Sequence, residues 1–227
     1  MFPQSQAPVP ENGRDSGLRT RKKQKTRLAI QDAALELFAE QGFENTTVEQ
    51  IAALAEVSTA TFFRYFKSKG DAVFGGDSDE RTTLLPALAQ AIIERPQHED
   101  NLTAISRAVM SEWVPSLEPT RIRRHFLAAE PSALLTGLST KLTVKWQATI
   151  AEALAKRNGL DAPDHKCSVA ATMALAILTQ TAHAWVHGGV QGELADALAH
   201  GYEMMGELCA ESYEAQVMAA TLQDKTS

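Results

Sequence analysis

Apolar positions recur with a helical period along most of this chain. Ile30, Ala33, Ala34, Leu37 and Phe38 stand at i, i+3, i+4, i+7 and i+8, the stripe of an amphipathic helix, and Gly42 supplies its stop. The next stretch, TVEQIAALAEV, opens on Thr47 with Gln50 three residues later, a capping-box pattern, and sets Ile51, Leu54 and Ala55 on one face. Ser58 can cap a third short helix carrying Phe62, Phe63 and Phe66. Ser68 followed by Asp71 repeats the capping signature for a fourth. Beyond FGGDSDE the pattern predicts longer helices over 84–95, 101–114, 119–129, 132–158, 164–187 and 191–218, broken by Pro and Gly. No stretch alternates with the period of a strand, so the predicted fold class is all-α.

The first twenty residues, rich in Pro, Gln, Ser and Gly, lack any period and read as a disordered arm over 1–20. Structure is then expected from Arg21, as a three-helix domain over 21–70 and a larger helical domain over 71–227. The 227 residues are 44% apolar, enough for a substantial core.

A net charge of −6 argues at first against a nucleic-acid partner. The charge is unevenly spread. Residues 1–70 hold ten Lys or Arg against eight Asp or Glu, and residues 71–227 hold twelve against twenty. Cys167 and Cys209 form no CxxC or paired framework and read as core thiols. The first residues lack a signal-peptide core, and the most apolar run, 167–186, carries Thr, Gln and His. A cytoplasmic protein without a membrane segment is expected.

Helices two and three have the size of a helix-turn-helix, whose second helix enters the DNA major groove. Such a helix needs an anchored inner face, small polar residues at its N-terminus and cationic flanks. Phe62 and Phe66 suit the anchor, Ser58, Thr59 and Thr61 the reading end, and Arg64, Tyr65, Lys67 and Lys69 the flank. Just before helix one, Arg19, Arg21, Lys22, Lys23, Lys25 and Arg27 crowd together, placed to follow the phosphate backbone or reach a minor groove. Thr47 adds a hydroxyl and backbone donors at a helix start.

The segments AALELFAEQGFENTTVEQIAALAEVS and TATFFRYFKSKGD resemble the DNA-binding domain of the TetR family of transcriptional regulators over residues 21–74. The resemblance implies phosphate contacts at Thr47, Tyr65 and Lys69 and a base-reading end at Ser58, Thr59, Ala60 and Thr61. Many members carry Tyr where this chain has Phe63, which shifts more of the backbone grip to Arg64 and Tyr65. The resemblance also implies a homodimer, a double-stranded operator, and C-terminal helices that join the subunits and enclose a hydrophobic effector. Leu194, Ala197, Leu198, Gly201, Tyr202 and Met205 repeat at helical spacing, which fits either a dimer bundle or an internal core helix.

Effector candidates are the bulky Met110, Trp113, Phe126, Trp146 and Met173, with Gln180 and His183 as polar groups among them. RIRRHF, residues 121–126, puts Arg121, Arg123 and Arg124 on an acidic domain. KWQATIAEALAKRNGL is similar to a TetR subgroup that includes mycofactocin-system regulators, which implies acyl-CoA-like ligands with nucleotide phosphates on those arginines.

Two other classes compete. An enzyme would need catalytic spacing, and GxSxG, P-loop and GxGxxG motifs are absent. His183 and His187 stand at i and i+4, the spacing of a helical zinc pair, but HAWVH lacks the Glu of a metalloprotease, and His165 with Cys167 has no partner cluster. No metal, cofactor or catalytic site is expected. An all-α interaction protein with nonspecific nucleic-acid binding shares the composition but leaves the signature unexplained.

Overall fold

The computed structural model describes residues 12–74 and 80–207, with side chains over 19–74 and 84–207. Among the described residues every regular element is helical. The order is α1 (Asn12–Gln41), α2 (Val48–Leu54), α3 (Thr59–Tyr65), α4 (Lys69–Phe74), α5 (Glu80–Ile93), α6 (Asn101–Ala108), α7 (Pro119–Ala129), α8 (Ala133–Arg157) and α9 (His165–Val186). A further helix, α10, covers 194–207. Contacts divide the chain into two units, Met1–Gly76 and Asp77–Ser227.

In the first unit α1 begins nine residues before the expected start, so the expected arm is helical from Asn12 and only 1–11 lie outside the described residues. The run LRTRKKQKTR consists largely of good helix formers, and after Pro10 no proline stops the helix from extending backwards. Ile30, Ala34, Leu35 and Phe38 lie on the buried stripe of α1, and Gly42, at φ +84°, ends it in the left-handed conformation that favours glycine. Both halves of the α2 capping box form: Gln50 N–H donates to Thr47 Oγ1 at 3.2 Å and Thr47 N–H to Gln50 Oε1 at 2.8 Å. Ile51 and Ala52 are the buried residues of α2, whereas Leu54, expected inside, is 47% exposed. The helix is too short for its last turn to reach the core. Val57 N–H donates to Ala52 O at 2.9 Å and turns the chain into α3, with Glu56 at φ +54°.

The second unit is built on α8 and α9, which pack along one another. α5 lies on α8 and α6 on α9. Leu88, Ile92, Ile105, Ile150, Leu154, Cys167, Ala171 and Ala174 fill the space between them. Cys167 is a core thiol as expected, and Cys209 lies outside the described residues. α9 buries one face only: Ala170, Ala174 and Ile177 point inward, while Val169, Thr179, Gln180 and His183 are exposed. It is long and apolar enough to cross a membrane by composition, but that inner face is part of the core. Gly201 of α10 fits only without a side chain, because a Cβ there would stand 2.5 Å from Thr181 Oγ1 and 3.3 Å from Ile177 Cγ2. At Gly201, α10 therefore packs closely on α9 within the chain.

A polar lock fastens the α5–α6 turn to the end of α8. The Arg157 guanidinium, 4% exposed, spends its donors on the carbonyls of Arg95, Pro96 and Glu99 and on the side-chain oxygens of Asn101 and Asn158. Glu99, equally enclosed, accepts from Arg95 and Arg107. Hydrogen bonding from Arg95, aided by Arg107, outweighs the cost of burial and holds the Glu99 carboxyl at about 2 against an ordinary 4.5.

Two outcomes follow from this packing. Gly201→Ala should lower stability by about 1 kcal/mol, overpacking outweighing the gain in helix propensity, whereas Gly137→Ala, with open space around it, should raise stability by about 0.5–1 kcal/mol; paired thermal melts read both. A carboxyl depressed in the folded state supports the fold above its unfolded pKa and loses that support as pH falls through the folded one. Glu99→Gln should therefore flatten the fall in melting temperature between pH 4.5 and 2.

Candidate functional site

In the first unit the N-terminal end of α3, expected to read bases, is held from behind. Phe62 and Phe66 are 0% and 2% exposed, with ring centroids 5.8 Å apart. The Arg27 guanidinium lies 4.7 Å over the Phe66 ring and is itself buried, so Arg27 belongs to the anchor and not to the basic run before it. Ser58 Oγ accepts from Thr61 N–H at 3.1 Å and donates to Thr61 Oγ1 at 3.0 Å. That exchange caps α3 and ties down the Thr61 hydroxyl. Ser58, Thr59 and Ala60 are exposed, Thr61 and Tyr65 are half-buried, and Phe63 is 56% exposed. Arg64 is exposed and reaches across the Tyr65 ring at 5.4 Å.

Thr47 is exposed at the start of α2. Arg21, Lys22 and Lys25 are exposed on α1, where i, i+1 and i+4 spacing gathers them on one side of the helix. Lys69 departs from its expected role. Its ammonium donates to the carbonyls of Phe43 at 2.6 Å and Thr46 at 2.9 Å, and stands 4.2 Å over the Phe43 ring. A point charge with three donors, so engaged, is a staple on the α1–α2 turn and leaves little for a phosphate.

The second unit contains a cavity of about 500 Å³. Four helices and the turns that follow α6 line it. α7 contributes Ile122, His125, Phe126 and Ala129, and α9 contributes Leu178, Ala182 and His183; Leu194 and Leu198 close it from α10. After Ala108 the helix widens into a π turn, Val109–Trp113, and a short 3-10 turn containing Pro115 ends it. Pro115 has no N–H to donate to the carbonyl four residues back, so the α-helical ladder cannot continue, and Trp113 turns to the cavity wall.

Opposite the apolar residues runs a wall of hydroxyls: Thr136, Ser139, Thr140 and Thr143 of α8. Thr140 and Thr143 donate back to the carbonyls of Thr136 and Ser139 at 3.0 Å each, which commits their hydroxyl hydrogens to the backbone and leaves their oxygens to act as acceptors. Glu130 closes the rim. Sequence reading missed these residues, although i, i+3, i+4 and i+7 hydroxyls in TGLSTKLT form a periodic stripe. Such a stripe looks like a solvated face until a second helix faces it.

Of the expected effector residues, Trp113, Phe126 and His183 line the cavity. His183 is half-exposed rather than a core histidine. Met110 packs on the cluster beside it. Trp146 is buried in the core against Trp113, with ring centroids 5.2 Å apart, and Gln180 faces solvent. Met173 lines a separate groove of about 600 Å³ at the start of α6 and α9. Arg123 donates to Val186 O at 2.8 Å and stacks 4.9 Å from the Trp185 ring, and neither it nor Arg124 is among the lining residues.

Residues 30–73 match the family model for bacterial regulatory proteins of the tetR family, and residues 99–210 match the model of the MftR C-terminal domain. The HTH-type transcriptional regulator TcmR of Streptomyces glaucescens is 46% identical over 92 residues, 40% of this chain and 39% of TcmR. The transcriptional regulator MftR of Mycobacterium tuberculosis is 28% identical over 177 residues, 78% of this chain and 87% of MftR. Among solved structures, SmeT in complex with triclosan superimposes with a TM-score of 0.56 at 20% identity over 79% of this chain and 88% of that one. The fatty acid degradation regulator FadR of Bacillus halodurans reaches 0.56 at 17% identity over 79% and 93%. At those identities the structures speak for the fold. With a tetR-type domain before an MftR-type domain, and relatives that are regulators and not enzymes, this chain belongs to the TetR family of DNA-binding transcriptional regulators.

Proposed function

We propose that this chain is a homodimeric, cytoplasmic repressor that reads a near-palindromic operator through α3 and releases it when a small molecule fills the α7–α10 cavity. The observation that carries the reading is the two-sided character of α3, which buries Phe62 and Phe66 while Ser58, Thr59, Ala60 and Phe63 stand in solvent. Small hydroxyls suit base edges, and the exposed Phe63 ring suits a thymine methyl or a sugar. Arg21, Lys22, Lys25, Thr47, Arg64 and Tyr65 supply phosphate contacts around it. As a helix, the basic segment of α1 is about 10–12 Å wide, against a minor groove of about 6 Å, so it lies along the backbone instead of threading the groove. Two copies of α3 must stand about 34–36 Å apart to read successive major grooves, and an effector acts by favouring a conformation that breaks that spacing. The exposed Val169 of α9 and Met204 of α10 are apolar positions available to a homodimer interface.

The cavity suits a compact effector with an apolar body and hydrogen-bonding groups. Its volume lies in the ordinary range for small-molecule sites, about 300–1,000 Å³, and its hydroxyl wall favours donors on one side of the ligand. An acyl-CoA is the finer alternative. Its chain would lie against Phe126 and Leu198, but its phosphates would need cations, and Arg123 is turned to Val186 and Trp185.

Selection of genome fragments followed by footprinting tests the DNA reading: a discrete symmetric footprint is expected, and nonspecific protection would overturn it. Thr59→Ala should cost about 1–3 kcal/mol and relax preference at one position per half-site, whereas Lys22→Ala should weaken all sequences alike and lower the salt slope by about one. Lys69→Ala should instead lower the melting temperature, by about 1–3 kcal/mol of stability, because the carbonyls of Phe43 and Thr46 lose their donor. For the effector, compounds that raise the melting temperature should weaken operator affinity by the factor that operator weakens theirs. Thr140→Val should shrink the thermal shift of hydroxyl-donating compounds and spare that of long-chain acyl-CoAs; the reverse ranking would favour the acyl-CoA.

A further inference from the structure

We propose that Glu130, His183 and His187 form a binding site for a divalent transition-metal ion, Zn(II) foremost, at the rim of the cavity. Sequence spacing offered His183 and His187, at the end of α9, as a pair but named no third ligand near them. The tertiary structure supplies it from α7. Glu130 Oε1 stands 3.2 Å from His183 Nε2 and 2.8 Å from His187 Nε2, and the two imidazole centroids are 4.5 Å apart. The three ligand atoms lie within 4.8 Å of one another.

In a tetrahedral zinc site with bonds of about 2.0–2.1 Å, neighbouring donor atoms stand about 3.3 Å apart. Both His–Glu pairs are already near that spacing. The His–His pair closes by rotation of side chains that are 51% and 40% exposed and therefore have room to turn. Two imidazole nitrogens and one carboxylate oxygen suit Zn(II), Co(II), Ni(II) or Cu(II), whereas Mg(II) and Ca(II) prefer an all-oxygen set.

The local field favours a cation as well. Glu130 is the C-cap of α7 and His187 the C-cap of α9, so two helix C-termini, each the negative end of its dipole, converge on the trio. The backbone beneath Glu130 is firm, with its N–H donated to Phe126 O at 3.0 Å and Ser132 N–H to Ala129 O at 3.2 Å. Three protein ligands leave a fourth position. Because Glu130 and His183 also line the cavity, a bound ion stands at its edge and ties α7 to α9. The site rests on its own three side chains and stands whatever effector the cavity takes.

Tag-free full-length protein titrated with Co(II) tests the site, because tetrahedral Co(II) gives strong visible d–d absorption that the aqueous ion lacks. One Co(II) per chain is expected, displaced by Zn(II). His183→Ala and His187→Ala should each weaken Zn(II) at least tenfold, and Glu130→Gln should weaken it as well, with metal-free melting temperatures unchanged for these exposed side chains. A spectrum of the aqueous ion alone would overturn the proposal. So would undiminished affinity in the double variant His183→Ala/His187→Ala, which would place the metal elsewhere in the chain.

Discussion

A helix of seven residues is not stable by itself in water, because nucleation fixes several residues for each hydrogen bond gained. α2 and α3 are both of that length, so the reading end of this regulator depends on anchorage. Phe62 and Phe66 supply most of it, each burying a side chain that contributes about 1.5–3 kcal/mol. Arg27 covers Phe66, and Lys69 draws the α1–α2 turn in from the other side. Two cations that a reader of the sequence would assign to DNA are thus spent on holding the helix proposed to read it. The exposed surface of α3 can be varied for specificity without touching this support.

The second unit solves a different problem, that of keeping a cavity of about 500 Å³ open beside a close-packed core. α8 does both jobs in succession. Its C-terminal half, from Trp146 to Arg157, is buried core, whereas its N-terminal half presents Thr136, Ser139, Thr140 and Thr143. Thr140 and Thr143 satisfy their donors on the preceding turn, so their oxygens remain as acceptors along this stretch. Arg157 and Glu99 lock the opposite end of the same helix. The histidine and glutamate trio sits where the end of α7 meets α9, and a metal ion there would tie the two together.

Much of this was legible in the linear chain. Local hydrogen bonds write helix boundaries and caps: Thr47 with Gln50, Ser58 with Thr61 and Ser68 with Asp71 all form as their spacing implies, the last at 3.2 Å. Periodicity placed Ile30, Ala34 and Phe38 inside. The same kind of reasoning failed where a residue's partner lies far along the chain. Lys69 meets carbonyls more than twenty residues away, Arg27 meets Phe66, and Arg123 meets Val186; a cation's sequence neighbours say nothing of which acceptor it will find.

The sequence by itself determined the all-α class, the short capped helices α2 and α3 and the family, because these rest on contacts within a few residues and on motifs. Only the tertiary structure decided that the hydroxyl stripe of α8 is a cavity wall and not a solvated face, and that His183 is exposed rather than core. It alone brought Glu130 to the two histidines of α9. Those outcomes depend on which helix faces which, and helix packing is set by the sum of many side-chain fits over the whole unit, which no single window of the chain contains.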